Sequence, residues 1–159
     1  MAASIKSMFT RPADEFVNDP DVEHLWTIKA VDQMIIHYNL ISSVPPKELK
    51  LTKKDDIIFE KFCQSFPDFQ LDKIETNILK SDESKAKWRP FCEEFKGEVE
   101  DYNFASLLRL DCTGDYSEEN TVVVPRIQFL AIEIARNRLG HNDSVYLKAK
   151  AAKATDGQS

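Results

Sequence analysis

The densest group of side chains able to grip a partner is Arg136-Asn137-Arg138, with Asn142 close behind it. It closes the segment RIQFLAIEIARNRLGHN, residues 126–142. Guanidinium groups ligate carboxylates, phosphates and carbonyls, and amides both donate and accept. Two roles compete for these residues. Cations at a helix C-terminus are favoured by the helix dipole, whatever else they do. A rigidly held Arg is also the charged residue most favoured at protein interfaces. Arg138 falls on the otherwise apolar side of its helix, so it needs a buried acid or carbonyl, or it marks a contact surface.

Other chemistry is thinly represented. His24, His37 and His141 lack metal-ligand spacing, and the 13 residues between the first two prevent them from sharing an ion on one helix. Cys63, Cys92 and Cys112 are an odd number of thiols with wide spacings and no CxxC pair, which fits reduced cysteines better than disulfides or a zinc ribbon. Cys92 shares a helical face with Trp88, Phe91 and Phe95, so an inert buried thiol is expected there, and the same is expected of Cys63. The loop CTGDYSEEN gathers Asp115, Glu118 and Glu119 without the spacing of a calcium loop. Its acidity suits solvent or a basic partner. Lys85, Lys87 and Arg89 beside Trp88 form a short basic patch in an acidic chain. Only four glycines are present and neither GxGxxG nor GxxxxGK[ST] occurs, so no phosphate-cradling loop is expected. The residues therefore predict no catalytic, cofactor-binding or metal-ligating set.

Bulk properties agree with a single folded domain. A length of 159 residues suits one domain, and 42% hydrophobic residues with ten Phe suffice for a core. The formal net charge of −6 argues against a dedicated nucleic-acid binder. No apolar run approaches the roughly 18 residues of a membrane span, and the first residues do not read as a signal peptide.

The elements that must position these residues are mainly helical. NDPDVEHLWTIKAVDQMIIHYNLISSVPP predicts a helix capped by Asn18 or Asp19, with Pro20 in its first turn, ending near Ser42 before Pro45-Pro46. Apolar residues lie on most of its sides, which predicts a central helix packed between others. LTKKDDIIFEKFCQSF predicts a second helix, with Thr52 and Asp55 approximating a capping box and Ile58, Phe62 and Phe66 on the core side. PDFQLDKIETNIL reads as a connector with a turn of helix. In SDESKAKWRPFCEEFKG, Trp88, Phe91, Cys92 and Phe95 share one face, and Pro90 either kinks the helix or ends it. Residues 105–124 predict two short strands joined by a polar loop. A long last helix then starts near Pro125 and stops at Gly140. The expected fold is thus a mainly α domain of about four main helices with a small β-hairpin before the last long helix. It spans residues 18–147, between a loose segment at 1–17 and a disordered tail at 148–159.

Several blocks in this order resemble one family. NDPDVEHLWTIKAVDQMIIHYNLISSV, KSDESKAKWRPFCEEF, VEDYNFASLLRLD and YSEENTVVVPRIQFLAIEIARNRLGHN are together similar to the eukaryotic polysaccharide-biosynthesis-domain-containing protein family. The similarity covers about Asn18 to Tyr146 and is most specific in the RIQF–AIEIARNR segment. It implies a mainly helical fold with a small β element. It also implies an ATP-independent chaperone, not an enzyme. Such a chaperone holds the nascent GTP-binding domain of translation elongation factor 1-alpha near the ribosome and releases it once folded with GTP. No cofactor is implied. The protein would be a cytoplasmic monomer with access to the nucleus, without membrane or dedicated nucleic-acid binding. The competing expectations are a xylan-type polysaccharide biosynthetic enzyme, such as a methyltransferase, and a small RNA- or ribosome-binding protein. Client contacts are expected from exposed residues of the matching blocks: Glu119, Asn120, Arg136, Asn137, Arg138 and Asn142.

Overall fold

The structure, a computed structural model, describes residues 20–157 and the side chains of residues 25–154. The segment 1–17 and the proposed caps Asn18 and Asp19 lie outside them. Among the described residues, six helices pack with one antiparallel hairpin. They are α1 (Pro20–Ser43), α2 (Asp55–Ser65), α3 (Thr76–Leu79), α4 (Asp82–Glu94), α5 (Arg126–Leu139) and α6 (Asp143–Gly157), with β1 (Ala105–Arg109) and β2 (Thr121–Pro125) between α4 and α5. The architecture is the mainly α fold with a hairpin that the sequence predicts. Two differences matter. The hairpin precedes two helices, not one, and residues 148–157 continue α6 where a disordered tail was expected. Ala and Lys are strong helix formers, and LKAKAAKA supplies them in a row.

Local chemistry sets the helix ends. Asp55 accepts hydrogen bonds from the backbone N–H groups of Leu51 and Thr52, both at 2.7 Å, which is the reach-back half of a capping box. The Thr52 hydroxyl caps Lys54 N–H at 3.0 Å. Ser81 caps α4 through Ser84 N–H. Helix α4 runs unbroken through Pro90, so the proline neither starts a new helix nor ends this one. Gly140 ends α5 in the left-handed conformation at φ +87°.

The main core is aromatic. Phe62, Trp88, Phe91 and Phe95 are buried in it, with Phe66 and Phe69 packed alongside. Trp88 stacks on Phe66 at a 4.1 Å centroid distance. The hairpin joins this core to a smaller one. Leu108, Val122 and Val124 belong to the main cluster, whereas Ala105 and Leu107 pack with Ala30 and Met34 of α1. Both faces of β1 are therefore covered, and all five of its residues are buried.

The central helix is α5, with ten buried residues between Ile127 and Asn137. The sequence had assigned that place to α1. Instead α1 lies at the periphery, packed on α6 and β1. Its buried positions Ala30, Met34, His37 and Ile41 recur at helical spacing on one face. Leu25, Ile28, Ile35 and Ile36 occupy the opposite face and remain exposed.

Candidate functional site

The six residues expected to touch a client do not form one surface. Arg136, Asn137 and Asn142 are buried, Arg136 with 0% of its surface exposed. They are expected at the surface because they lie at the C-terminal end of α5 and in the turn that follows it. Neighbouring elements close over that end and supply their partners. Arg136 donates from Nε to Leu71 O at 2.8 Å, from Nη1 to Arg109 O at 2.8 Å and Glu133 Oε1 at 3.0 Å, and from Nη2 to Leu110 O at 2.9 Å. Asn142 accepts from Arg109 Nη2 at 2.6 Å and donates to Asn137 Oδ1 at 2.6 Å. Asn120 pins the hairpin loop, accepting from Asp111 N–H at 2.8 Å and donating to the carbonyls of Asp111 and Asp115. Arg138 is half-buried; it donates to exposed Asp56 at 2.5 Å and lies over the Phe59 ring at 5.1 Å. Glu119 alone is fully at the surface.

Together with residues the sequence did not single out, these side chains build a buried polar hub. Arg109 leaves β1 and donates to the carbonyls of Cys112 and Gly114 and to Glu133 Oε2, the last at 3.0 Å. Glu133 is completely buried between Arg109 and Arg136. Its Oε2 also faces His37 Nε2 at 3.0 Å, and His37 Nδ1 meets Tyr116 OH at 3.1 Å. The hub ties α1, the hairpin and its loop, α5 and the start of α6 into one unit. No sequence spacing announces it, because its members come from five separate segments.

The electrostatics favour a structural role. Burial opposes ionisation of Glu133, but the surrounding Arg109, His37 and Arg136 outweigh it and hold its carboxyl well below the ordinary carboxylate range. Burial also opposes the charge on Arg109, and Glu133 reverses the balance, raising its affinity for the proton. Tyr116, His37 and Glu133 form a hydroxyl–imidazole–carboxylate chain, the arrangement of an activated nucleophile. Burial, reinforced by the Glu133 charge, pushes the Tyr116 phenol up and away from phenolate. This chain therefore works as a brace between α1 and α5. Among the described residues no group of three His, Cys, Asp or Glu is placed to hold a metal ion. No described helix is long and apolar enough to cross a membrane. Cys92 is half-buried and its burial raises the thiol to about 11, whereas Cys63, also expected to be buried, is exposed because it lies on the outer side of α2, away from Ile58 and Phe62.

The surface with the chemistry of a contact site is on α1. Leu25, Ile28, Ile35 and Ile36 are 64%, 47%, 48% and 59% exposed. Helical periodicity puts them in one stripe, with Asp32 and Asn39 as the polar residues within it. Ile36 continues into a groove of about 140 Å³ between α1 and α5, where Leu40, Leu51, Phe129 and Leu130 form apolar walls and Arg126 and Gln33 polar ones. The apolar residues that led the sequence to predict a central helix are these. The helix is apolar on both sides, as the sequence predicts, but only one side is covered.

Comparison with known proteins agrees with the blocks quoted above. The family model described as PBDC1 protein matches residues 22–147. Protein PBDC1 of Homo sapiens is 47% identical over 154 residues, 97% of this chain and 66% of its own length. Protein PBDC1 of Mus musculus is 48% identical over 98% of this chain and 79% of its own. The chain thus spans about two thirds to four fifths of these relatives. The solution NMR structure of protein yst0336 from Saccharomyces cerevisiae superposes with a TM-score of 0.75 at 40% identity, over 87% of this chain and 98% of that one. This chain belongs to the PBDC1 family, the polysaccharide-biosynthesis-domain-containing family that its sequence blocks resemble.

Proposed function

We propose that this protein is a binding module and not an enzyme: an ATP-independent chaperone for the nascent GTP-binding domain of translation elongation factor 1-alpha. It acts in the cytoplasm, with access to the nucleus, as a monomer near the ribosome. It lets go once the client domain has folded with GTP. The single observation that carries this reading is the uncovered aliphatic stripe of α1, Leu25, Ile28, Ile35 and Ile36. An unfinished client domain exposes the apolar surface that its own folding later hides. A stripe that binds the first state has nothing to bind in the second, so folding itself supplies the differential affinity that release requires.

The magnitudes suit a transient complex. Burying a whole Leu or Ile side chain contributes about 1.5–3 kcal/mol, and each of these four is roughly half uncovered. Their joint burial then supplies on the order of 4 kcal/mol before the cost of association is subtracted. Additional contacts are needed for tight binding, which leaves client folding able to tip the balance.

The test is a pull-down from a translating lysate with the wild-type chain and with Ile28→Ser/Ile36→Ser, both checked for fold by circular dichroism. Nascent elongation factor 1-alpha should co-purify with the wild type and drop about tenfold or more with the double variant. Absence of the factor from the wild-type sample would sink the chaperone reading. Equal recovery by the variant would leave the client but move the contact away from α1.

A further inference from the structure

A second surface lies on another part of the fold, at the junction of α3, α4 and the start of α5. It is a cleft of about 400 Å³. Lys80, Lys85 and Arg89 line it with a single opposing acid, Glu93, and Trp88 forms part of its wall. Three cations against one carboxylate make it locally basic in a chain of net charge −6. Pro125 and Gln128, from the beginning of α5, complete one side.

Two features of that side point to a ligand. Helix α5 has fourteen residues, no side-chain cap and no acidic residue in its first turn, so the positive end of its dipole is not offset there. The N–H groups of Arg126 and Ile127 are taken by the carbonyls of Phe104 and Tyr102. What the helix end offers the cleft is its field. The second feature is independent of the first. Gln128 is 94% buried (6% exposed) and lines the cleft, yet its side-chain amide has no hydrogen-bond partner among the described residues. The little surface that this side chain keeps lies where it lines the basic cleft, so its amide can donate to an anion held there.

We propose that this cleft is a binding site for a phosphate-bearing small molecule. The donors approach from different directions: Arg89 and Lys85 from α4, Lys80 from the end of α3, and the Gln128 amide from α5. A tetrahedral dianion presents several strong acceptor oxygens to such a set, whereas a planar carboxylate engages one fork. A helix N-terminus favours the same charge. Lys80 also donates to Val123 O, which fixes its ammonium against the hairpin. The site is independent of the α1 stripe and of the client reading.

The probe is inorganic pyrophosphate, titrated into the ¹⁵N-labelled full chain at low salt. The Gln128 side-chain amide and the Arg89 backbone should shift with saturation. Gln128→Met keeps the volume and removes the amide, and Arg89→Ala removes an exposed cation without touching the core. Each should weaken binding by about tenfold while the rest of the spectrum stays native. A hexaglutamate peptide is the parallel titrant. Absence of saturable shifts at millimolar pyrophosphate overturns the proposal. Shifts scattered over surface lysines, or unchanged affinity in both variants, overturn it too. Saturation by the peptide without saturation by pyrophosphate overturns the phosphate assignment in favour of an acidic protein segment.

Discussion

Replacing Glu133 by Gln keeps the shape of the buried hub and removes its only carboxylate. In the native hub Oε1 accepts from Arg136 Nη1 at 3.0 Å and Arg109 Nη2 at 3.3 Å, while Oε2 accepts from Arg109 Nη2 at 3.0 Å and faces His37 Nε2 at 3.0 Å. A glutamine turns one of these oxygens into an N–H donor. Whichever way it flips, that donor meets a guanidinium or the imidazole. Two buried guanidiniums then share no counter-charge. Breaking a buried ion pair by removing one partner costs about 3–5 kcal/mol. A domain of this size has roughly 5–15 kcal/mol in total, so the variant should lose about a fifth or more of its stability. Thermal unfolding should shift down by about 10 °C, and the urea midpoint should fall with an unchanged slope. The pH dependence gives a second handle. The folded carboxyl titrates well below its ordinary value of 4.5, so its contribution is fully present above about pH 4.5 and is lost as pH falls through the folded value. The stability gap between wild type and Glu133→Gln should therefore shrink on acidification below pH 4.5. A loss under about 1 kcal/mol near neutral pH, or a gap that does not narrow in acid, would refute the picture of a charge-coupled hub.

Other consequences can be checked with ordinary tools. Arg136→Lys retains the charge but cannot reach the carbonyls of Leu71, Arg109 and Leu110 together; with about 1–3 kcal/mol for each buried acceptor left unpaired, urea unfolding should show a loss of several kcal/mol. Arg138→Ala, at a half-buried position whose charge meets only exposed Asp56 and the face of Phe59, should lower stability by about 1 kcal/mol or less, a small shift of the melting curve. Gly140→Ala places a Cβ at φ +87° and should cost about 1–2 kcal/mol by denaturant titration. Alkylation by iodoacetamide in mildly alkaline buffer should modify exposed Cys63 first, because burial holds the Cys92 thiol at about 11 and raises that of buried Cys112; mass-spectrometric mapping reads the order.

The sequence alone determined much of this protein. Phe and Trp at helical spacing placed the core faces of α2 and α4, because periodicity follows directly from helix geometry. Gly140 and Pro45-Pro46 marked helix ends through backbone constraints that no neighbour can alter. β-Branched residues at 121–124 and the polar loop before them gave the hairpin. Family membership was legible too, in the RIQF–AIEIARNR segment and the blocks around it.

Burial was decided only in three dimensions. A polar run at a helix end has the same composition whether it meets water or the rest of the fold. Arg136, Asn137 and Asn142 are core residues because carbonyls from residues 71, 109 and 110 and the side chain of Arg109 come to them from elsewhere in the chain. Helix α1 shows the converse. Its apolar residues predict burial on both sides, yet each helix face is hidden only if another element is there to cover it. β1 and α6 cover one side of α1, and Leu25, Ile28, Ile35 and Ile36 are left on the other. Helical period is a property of consecutive residues, whereas covering depends on segments far apart in the chain, so the sequence carried the first and the tertiary structure the second.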